Sequence, residues 1–560
     1  MAAFTVLSTL PSVTSVVLIV SSVALCAAYY LHKKYSYWAK RGVPYVKPDS
    51  WFFGNTKEMI FQRESTTFMF ARLYNELAGH KFGGYYRNHK PFLVLRDPEL
   101  IRLIFVKNFS HFHDRNTPDE RDFDPLSRHL LNLRGQRWKN VRYKLTPTFS
   151  SGKLKGMHEL MQACILELDD YLTKATSGDS KDLNVQDLRE LMAKFTTDVI
   201  GACAFGLNCN SIRDENSEFR RIGRLIFSFS WRSYIRAIVL TLAPGIVMAT
   251  KWKSIRPEIE NFFMSVLKGA VEHRKSHTEQ KRNDFLQLLI NIQAEERKQL
   301  ESNRTQNGTQ NGTQNGTQNG TQNGIQNGLQ NGHAESVSEK SKDILFDDSV
   351  VASNAFIFFI AGFETTASTL SYCLYELALN PDIGEKLYEE VESVKQAHNG
   401  TLDYDAVNKE LVYMEAVISE TLRKYPPASV LGRRCNEAFQ IPDTNVVIEE
   451  GVGVTVSVYG LHHDPQYFPE PEKFKPERFM GENKDKIVPG SYLPFGDGPR
   501  ICIGMRFAHY EMKSVLSYII TNYTIHRCNK TVVPLQYDTR SVLHTPVGGV
   551  WVQFQKRLKL

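Results

Sequence analysis

The sequence predicts a mainly α-helical protein with small β-sheets and a single transmembrane helix at its N-terminus. Apolar residues recur at helical spacing from about residue 125 to 300, and a long apolar helix is predicted from Asp347 to about Leu379. Strand patterns are limited to residues 82–100, where aromatic and β-branched side chains cluster, and to the last thirty residues. Helices therefore dominate, and the sheets are small additions to them.

The length and composition of the chain allow a large hydrophobic core. With 560 residues the chain is long enough for about two to four average domains, although large proteins with a single core exist. Hydrophobic residues make up 42% and aromatic residues 11%, which suits a large core and an apolar pocket. The net charge of +7 is too small to indicate nucleic-acid binding, but a local basic face would suit an acidic protein partner or anionic lipid.

The eight cysteines are scattered singly along the chain, and no pair has the C-x-x-C spacing of zinc and redox motifs. Scattered free thiols are typical of a protein in a reducing compartment and do not indicate a disulfide framework. Only Cys502 lies in a distinctive sequence.

The N-terminal segment has the character of a membrane anchor. Residues Phe4 to Leu31 carry no charge, and the 19 residues from Val13 onward are nearly all apolar, which is long enough to span a bilayer as a helix. Lysines follow at positions 33 and 34 and no basic residue precedes, so the positive-inside rule places the body of the chain in the cytosol. The alternative is a secretory signal cleaved near Ala27, which the length of the run and the missing basic segment disfavour.

The chain divides into an anchor (1–32), a basic hinge that ends in proline (33–44) and a globular body (45–560). Within the body, residues 305–332 consist of seven tetrapeptides, five of them Thr-Gln-Asn-Gly. Glycine and asparagine in every repeat disfavour both helix and strand, so we expect a disordered insertion over about 298–343.

The segment Phe495–Gly504 reads Phe-Gly-Asp-Gly-Pro-Arg-Ile-Cys-Ile-Gly, and we call it the cysteine loop. Its glycines and proline predict a tight turn, and a helix is predicted from Ile503 to Tyr523. A thiol at a helix N-terminus lies near free N–H groups and the positive end of the helix dipole, which favour the thiolate. A single thiolate held in this way suits the axial ligand of a haem iron. The alternative is a buried structural cysteine.

The pattern Phe-x-x-Gly-x-Arg-x-Cys-x-Gly, complete in this loop, resembles the haem-binding signature of the cytochrome P450 superfamily. The resemblance implies the haem-thiolate fold of that family over the body of the chain, haem b (iron protoporphyrin IX) as cofactor and Cys502 as the axial ligand of its iron.

The segment Ala361–Thr366 places an acid beside a hydroxyl in an otherwise apolar helix. Such a pair is costly to bury unless it is bonded or used, and the simple alternative is that Thr365 donates back to a carbonyl one turn earlier. The string also resembles the oxygen-activation motif of haem-thiolate monooxygenases. By that resemblance Thr365 hydrogen-bonds to bound dioxygen, Glu364 relays protons, and Gly362 lets the helix open beside the iron.

Glu420 and Arg423 lie on one face of a helix predicted between Tyr413 and Tyr425. As an exposed pair they would contribute less than about 1 kcal/mol. Glu-x-x-Arg is also a P450 signature, and Pro-Glu-Arg-Phe at 476–479 supplies the third partner, Arg478. The resemblance implies a buried charge network with a scaffold role that locks the loop before Cys502.

Trp138 and Arg142 share one helix face, which by itself fits an ordinary amphipathic helix. In the family this pair bonds a haem propionate, a role that suits the planar fork of an arginine. The resemblance assigns further residues to the cofactor, namely Arg115, Arg433, Phe495 and Arg500.

Apolar residues near these motifs are candidates for the substrate pocket, and a pocket walled by Phe and Leu implies lipophilic substrates. The alternative for each is ordinary core packing. The candidates are Phe356, Phe359, Ile360, Phe363, Val430, Leu431 and Leu543.

The motifs follow one another in the family order, and the resemblance covers about residues 35–560. Details such as Tyr37-Trp38 and Gly548-Gly549-Val550-Trp551 look most like the insect microsomal branch that handles plant toxins and insecticides. The repeat insertion departs from the family pattern but lies outside every motif.

The resemblance implies a monooxygenase anchored by one span in the endoplasmic reticulum membrane, with its catalytic domain on the cytosolic face. It would hydroxylate or epoxidise lipophilic xenobiotics, insecticides, plant toxins or endogenous lipids and hormones with O2. Electrons would come from NADPH through a separate reductase, with cytochrome b5 as a further partner, because the chain has no dinucleotide or flavin fingerprint. The basic residues predicted to dock this donor are Arg137, Lys139, Lys144, Arg506 and Lys513.

Two rival functions are also compatible with haem binding. A peroxide-rearranging isomerase or dehydratase would need no reductase, but the intact Glu364-Thr365 pair argues against it. A haem sensor or carrier would bind haem without consuming NADPH. The sequence names neither the substrate nor the position that is oxidised.

Overall fold

The structure, a computed structural model, describes residues 13–117, 123–177, 184–276, 284–312, 346–541 and 543–558. The prediction of a mainly helical protein with small sheets is confirmed, because helices dominate the described residues and the sheets are small. The helices are α1 (Val13–Tyr35), α2 (Lys57–Ile60), α3 (Thr66–Glu76), α4 (Pro98–Arg102), α5 (Gly135–Leu145), α6 (Ser151–Lys155), α7 (His158–Thr176), α8 (Leu188–Ile200), α9 (Glu218–Phe227), α10 (Trp231–Leu242), α11 (Pro244–Ala249), α12 (Pro257–Ser276), α13 (Phe285–Gly312), α14 (Asp348–Leu379), α15 (Pro381–Ala397), α16 (Tyr404–Lys409), α17 (Val412–Lys424), α18 (Val458–His462), α19 (Gly481–Asp485) and α20 (Met505–Asn522).

The described strands form three small sheets. The strands are β1 (Phe82–Arg87), β2 (Lys90–Leu95), β3 (Val185–Asp187), β4 (Val430–Arg434), β5 (Phe439–Gln440), β6 (Val447–Ile448), β7 (Gly453–Ser457), β8 (Tyr523–His526) and β9 (Trp551–Lys556). The largest sheet has the order β1-β2-β7-β4, in which only β2 and β7 are parallel. The others are β3-β9-β8 and β5-β6. The hairpin predicted at residues 82–100 is the β1–β2 pair.

Helix α14 runs through the centre of the larger hydrophobic core and packs along α8. Its start follows from the sequence: the Asp347 carboxylate caps the helix by accepting the N–H of Val350 at 2.8 Å. Gly362 allows the close contact with α8, because a Cβ there would lie 2.7 Å from the Ile200 side chain. The glycine thus has a packing reason in this chain.

The predicted hinge is held against the largest sheet. Trp38 is only 1% exposed, and its indole N–H donates to the Tyr85 carbonyl at 3.2 Å. The Tyr86 hydroxyl donates to the Tyr35 carbonyl at 2.7 Å, and Arg41 pairs with Glu449. The body is therefore joined to α1 by a packed segment and not by a free hinge.

The expectation of strands throughout the last thirty residues is wrong for most of that stretch. Within its described residues one strand forms, β9, and Tyr537 and Pro546 make an isolated bridge. Pro534 and Pro546 remove ladder donors, and Gly548 and Gly549 have positive φ angles of 80° and 86°. These residues interrupt the strand pattern.

Helix α13 continues to Gly312, so the first residues of the predicted insertion are helical in their backbone. The rest of the predicted disordered segment, from residue 313, lies outside the described residues. Within the part of the chain that the structure describes, three helical segments are long and apolar enough to cross a membrane: Thr14–Arg41, Glu218–Leu242 and Asp348–Leu379. The last of these is two-thirds buried within the fold, whereas the first is not buried at all.

Candidate haem-thiolate site

The cysteine loop is a tight turn that presents one thiol to the inside of the fold. Gly498 has a φ of 70°, and a Cβ there would lie 2.2 Å from the Phe105 carbonyl oxygen, so only glycine fits. The Cys502 N–H donates to the Phe495 carbonyl at 2.9 Å. Many protein atoms lie near Cys502, but part of the residue surface is not covered by them and stays exposed. The thiol therefore faces an internal space.

The electrostatic surroundings of Cys502 are mixed. Burial raises the pKa of the Cys502 thiol, while the Gly504 N–H and the charges of Arg142 and Arg115 lower it by less. The predicted thiolate is thus not stabilised by the loop and its helix alone. A metal ion at the sulfur would supply the missing positive partner, since thiols deprotonate when they coordinate metals.

The oxygen-motif residues line an opening in the middle of α14. This helix is otherwise largely buried, but Ala361 is exposed and Thr365, one turn later, is half-buried. The Thr365 hydroxyl donates to the Ala361 carbonyl at 2.6 Å, which is the alternative contact considered from the sequence. To donate elsewhere, this hydroxyl must first leave the carbonyl.

Glu364 is buried beside a cavity of about 470 Å³. Its carboxylate accepts a hydrogen bond from the Arg189 guanidinium at 3.3 Å. The cavity is also lined by Gly223 and Phe227 of α9 and by residues between Asp538 and Gly549. The sequence analysis missed Arg189, because a partner 175 residues away leaves no local pattern.

Four of the predicted cofactor residues, all arginines, form a cluster of positive charge; Arg433 and Arg500 are buried, and Arg115 and Arg142 are half-buried. Burial and the nearby Arg142 lower the pKa of Arg115 to about 10, although Cys502 opposes the shift. Burial, Arg115 and Arg500 hold the pKa of Arg433 well below its ordinary value. Burial and the neighbouring arginines likewise lower the pKa of Arg500 to about 9, with Asp114 opposing. Since arginine keeps its proton in proteins, the lowered pKa values mean that too little negative charge lies near these guanidinium groups to balance them.

The arginines differ in how much of their donor capacity the protein uses. Arg500 is largely occupied, because its guanidinium donates to the carbonyls of His113, Leu130 and Leu133 at 2.9, 3.4 and 2.9 Å. Its guanidinium also lies 4.0 Å from the ring centre of Trp138. By contrast, Arg433 donates to the carbonyl of the preceding Gly432, and its buried Nε has no hydrogen-bond partner among the described residues. Arg433 is therefore better placed than Arg500 to donate hydrogen bonds to a carboxylate.

These features fit iron protoporphyrin, which brings four nitrogen ligands and two propionates. Among the described residues, no group of three His, Cys, Asp or Glu side chains could hold a metal ion. A metal at Cys502 must therefore arrive with its other ligands in place. The arginine cluster supplies the positive charge that two propionates need.

Glu420, Arg423 and Arg478 meet in a buried network. The Arg423 guanidinium binds both Glu420 oxygens, at 2.8 and 2.9 Å, and both side chains are fully buried. Arg478 lies 3.4 Å from the same carboxylate. Arg423 also donates to the carbonyls of His462 and Pro471 at 3.0 and 2.7 Å, so the network ties α17 to the segment that leads to the cysteine loop.

His462 is a further member of this network that the sequence analysis missed. Its Nε2 accepts the N–H of Leu493, two residues before the cysteine loop, at 2.9 Å. The ring also stacks on Tyr492. A lone histidine after a strand carries no recognisable signal, so only the fold reveals this link.

The predicted pocket residues fall into two groups. Phe356 and Phe359 pack on Phe263 of α12, with ring centres 5.0 and 5.3 Å apart, and so belong to the aromatic core. Phe363 is also fully buried, against Phe227 of α9. The remaining candidates are partly exposed inside the fold and stay candidates for substrate contact; they are Ile360, Val430, Leu431 and Leu543.

The predicted docking face is smaller than expected. Lys513 is 4% exposed and pairs with Glu415 at 2.9 Å, so it is a buried structural residue. Lys144 pairs with Glu296 of α13 at 3.6 Å. Lys139 and Arg506 are exposed, and Arg506 lines a depression of about 760 Å³ that Cys502 also lines.

Comparison with known proteins gives one consistent result. The sequence model of the family described as Cytochrome P450 matches residues 44–314 and 301–552. A probable cytochrome P450 6a14 of Drosophila melanogaster is 35% identical over 538 residues, which is 95% of this chain and 98% of the relative. Cytochrome P450 6k1 of Blattella germanica is 35% identical over 544 residues, covering 96% of this chain and 97% of the relative. Cytochrome P450 9e2 of Blattella germanica is 32% identical over 93% of this chain and 94% of the relative.

Proposed function

Because the chain belongs to the cytochrome P450 family and is a monooxygenase of that family, we propose that it hydroxylates or epoxidises lipophilic small molecules with O2. The observation that carries the proposal is the combination of a single inward-facing thiol with a cluster of arginines. The thiol is a suitable ligand for the iron of a haem, and the arginines are suitable partners for its propionates.

The cofactor proposed for this site is haem b. Bound here, it supplies the activation of dioxygen. Cys502 is the proposed iron ligand, and Arg115, Arg142 and Arg433 are the proposed partners of the propionates. Trp138, Arg500 and Phe495 support the loop and the charge cluster, since Arg500 stacks on Trp138 and Phe495 accepts the Cys502 N–H.

Glu364 and Thr365 are the proposed proton-handling pair. Glu364 lies between the cavity and the α14 opening, and Thr365 lies at the opening itself. A carboxylate and a hydroxyl in neighbouring positions can pass a proton inward while apolar neighbours exclude bulk water. The ion pair with Arg189 holds the Glu364 carboxylate in place beside the cavity.

The substrates are proposed to be lipophilic, and xenobiotics, insecticides, plant toxins and endogenous lipids or hormones all fit this description. The support is chemical. Ile360, Val430, Leu431 and Leu543 are apolar yet partly exposed inside the fold, and apolar surface of this kind is best covered by an apolar ligand.

The electrons are proposed to come from NADPH through a separate reductase, with cytochrome b5 as a second donor. Lys139 and Arg506, with Arg137 and Lys144 nearby, offer positive charge for an acidic partner on the cysteine side of the fold. Such an interface is sensitive to ionic strength.

The body is proposed to lie on the cytosolic face of the endoplasmic reticulum membrane, held by α1 as a single span. Helix α1 is 23 residues long and apolar, and His32, Lys33 and Lys34 end it. A helix of that length covers about 35 Å, which suffices for a bilayer core of about 30 Å.

The proposal is tested with purified full-length protein in lipid vesicles together with an NADPH-dependent reductase. We expect a red-shifted carbon monoxide spectrum of the reduced protein, characteristic of thiolate ligation, and NADPH-dependent oxidation of lipophilic probes. Turnover of a lipid hydroperoxide without reductase would support the isomerase instead. Haem binding with no turnover of any kind would support the carrier.

A further inference from the structure

A histidine on the helix that follows the cysteine loop packs against the first residue of that loop. His509 belongs to α20, and its ring lies against the ring of Phe495, with ring centres 5.1 Å apart and ring planes inclined by 41°. Both residues are half-buried. The large core covers only part of Phe495, and the His509 ring covers another part.

The position of Phe495 matters because its backbone holds the backbone of Cys502. The Phe495 carbonyl accepts the Cys502 N–H at 2.9 Å, and this hydrogen bond closes the loop. A displacement of Phe495 therefore moves the acceptor of the Cys502 N–H, and the thiol moves with it. The support that the Phe495 ring receives is thus also a support for the sulfur.

His509 is held in turn by Glu415 of α17. Its Nδ1 lies 3.0 Å from one Glu415 oxygen, and the other Glu415 oxygen lies 2.9 Å from Nζ of Lys513. The Nδ1 contact is electrostatic, since the two groups are not aligned for a well-formed hydrogen bond. Burial opposes ionisation of Glu415, but His509 and Lys513 lower its pKa to about 2, so the carboxylate is charged at neutral pH. A lasting negative charge beside Nδ1 favours this orientation of the ring.

The connection through His509 is separate from the one through His462. His462 accepts the backbone N–H of Leu493, which precedes the cysteine loop, whereas His509 meets the side chain of Phe495 inside the loop. Both histidines also contact residues of α17. Helix α17 is therefore linked to this part of the chain at two points, one before the loop and one within it.

We propose that His509 is a positioning residue for the thiolate: fixed by Glu415, its ring supports Phe495 and so keeps the Cys502 N–H bonded and the sulfur in place for the iron. This inference rests on the proposed haem-thiolate function. His509 has no role in it as a ligand or a substrate contact. When the support is removed, the loop opens more often and the sulfur leaves the iron more readily.

The experiment compares full-length wild-type protein with His509→Leu in two measurements. The first is amide hydrogen exchange of the peptide 495–504, which needs no haem and should accelerate by about fivefold, the scale of one lost polar contact. Exchange in α14 should not change, whereas a general loss of stability would accelerate it as well. The second is the rate at which the reduced carbon monoxide complex loses its thiolate signature, which should rise by a similar factor.

Three further variants separate this support from general damage. His398→Leu is the matched control, because His398 also pairs with a glutamate, Glu410 at 2.8 Å, but joins the ends of α15 and α16; both of its rates should equal those of wild type. His509→Phe keeps a ring against Phe495 but offers nothing to Glu415, and both rates should rise by about twofold. His509→Arg should restore wild-type rates, since a planar guanidinium can stack on an aromatic ring and pair with a carboxylate.

Wild-type exchange of the loop peptide together with a wild-type rate of signature loss in His509→Leu overturns the proposal, as does an equal effect in His398→Leu. If His509→Leu does not fold, His509→Phe decides: faster exchange of the loop supports the proposal, and unchanged exchange overturns it. If the wild type shows no thiolate signature at all, the proposed function fails, and loop exchange still decides whether His509 supports Phe495.

Discussion

The imidazole of His462 receives the backbone N–H of Leu493 at 2.9 Å and thereby connects the Glu420–Arg423 ion pair to the cysteine loop. Its other nitrogen, Nδ1, lies 3.2 Å from the Arg423 carbonyl oxygen. Both contacts are satisfied only by a neutral ring with its proton on Nδ1. Burial and the charges of Arg423 and His463 keep the pKa of His462 well below its ordinary value, which holds the ring neutral.

Replacing His462 with Phe should therefore remove the hydrogen bond that anchors the segment before the cysteine loop. The Leu493 N–H loses a buried acceptor, at a cost of about 1–3 kcal/mol. We expect a lower thermal midpoint and a larger fraction of protein whose reduced carbon monoxide spectrum lacks the thiolate signature. His80→Phe, at an exposed position, is the control. The pH dependence also has a definite sign: the unfolded chain binds a proton at His462 below about pH 6.5 and the folded chain does not, so the contribution of His462 to stability becomes less favourable on acidification. A His462→Phe variant with the same acid response as wild type would contradict this account.

Replacing Arg433 with Met should change the apoprotein and the haem protein in opposite directions. Removing one charge from the arginine cluster relieves repulsion, so the apoprotein unfolds at a higher temperature. The same change removes a propionate partner, so haem dissociates faster, by about tenfold if one charge-assisted hydrogen bond is lost. Differential scanning fluorimetry and haem transfer to apomyoglobin measure the two effects. Arg63→Met, at an exposed site, should change neither the unfolding temperature of the apoprotein nor the rate of haem loss. If Arg433→Met destabilised both the apoprotein and the haem protein, the propionate role would be contradicted.

Glu511 on α20 is 1% exposed, and neither of its carboxyl oxygens makes a well-formed hydrogen bond within the described part of the chain. Burial raises the pKa of this carboxyl well above its ordinary value, and only the Thr366 hydroxyl opposes the shift. The folded state thus keeps a proton that the unfolded state releases above about pH 4.5, so the contribution of Glu511 to stability becomes less favourable as pH rises. Glu511→Gln should be more stable than wild type by about 1–3 kcal/mol at pH 8, with the gain shrinking toward pH 5.5. Thermal midpoints across this range test the prediction against the exposed control Glu482→Gln; a gain that does not vary with pH would refute it.

Thr365→Ala should leave haem binding intact and uncouple NADPH consumption from product formation. Removing the hydroxyl at the α14 opening deprives the site of a positioned proton carrier, whereas the helix loses only a hydrogen bond to its own backbone. We expect product per NADPH to fall by about tenfold, with hydrogen peroxide rising to match. Thr369→Ala removes the same kind of backbone contact one turn further along and should retain wild-type coupling. Unchanged coupling in Thr365→Ala would speak against a proton-handling role.

Local patterns predicted the elements that carry the chemistry. The cysteine loop, the α14 motif and the Glu-x-x-Arg pair each lie within a few residues, so their geometry follows from a turn or a single helix. The helix started by Asp347 and the β1–β2 hairpin were predictable for the same reason. The strand pattern of the C-terminus was misleading because prolines and positive-φ glycines interrupt it.

Contacts between distant segments were not predictable in this way. Phe356 and Phe359 were equally compatible with a pocket or a core until α12 was seen to pack on them. Lys513 resembled an exposed docking residue until Glu415 was found beside it. In each case the deciding partner lies far away in the sequence.

By itself the sequence determined that one cysteine in a glycine-built turn opens a helix, and that an acid and an alcohol lie side by side in an apolar helix. Only the tertiary structure decided which charges are buried together, that His462 holds the cysteine loop, and that Arg189 pairs with Glu364. The physical reason is one of range. Turns and helix faces are set by bonds between near neighbours, whereas burial, charge clustering and close approach arise where segments tens to hundreds of residues apart are packed against each other.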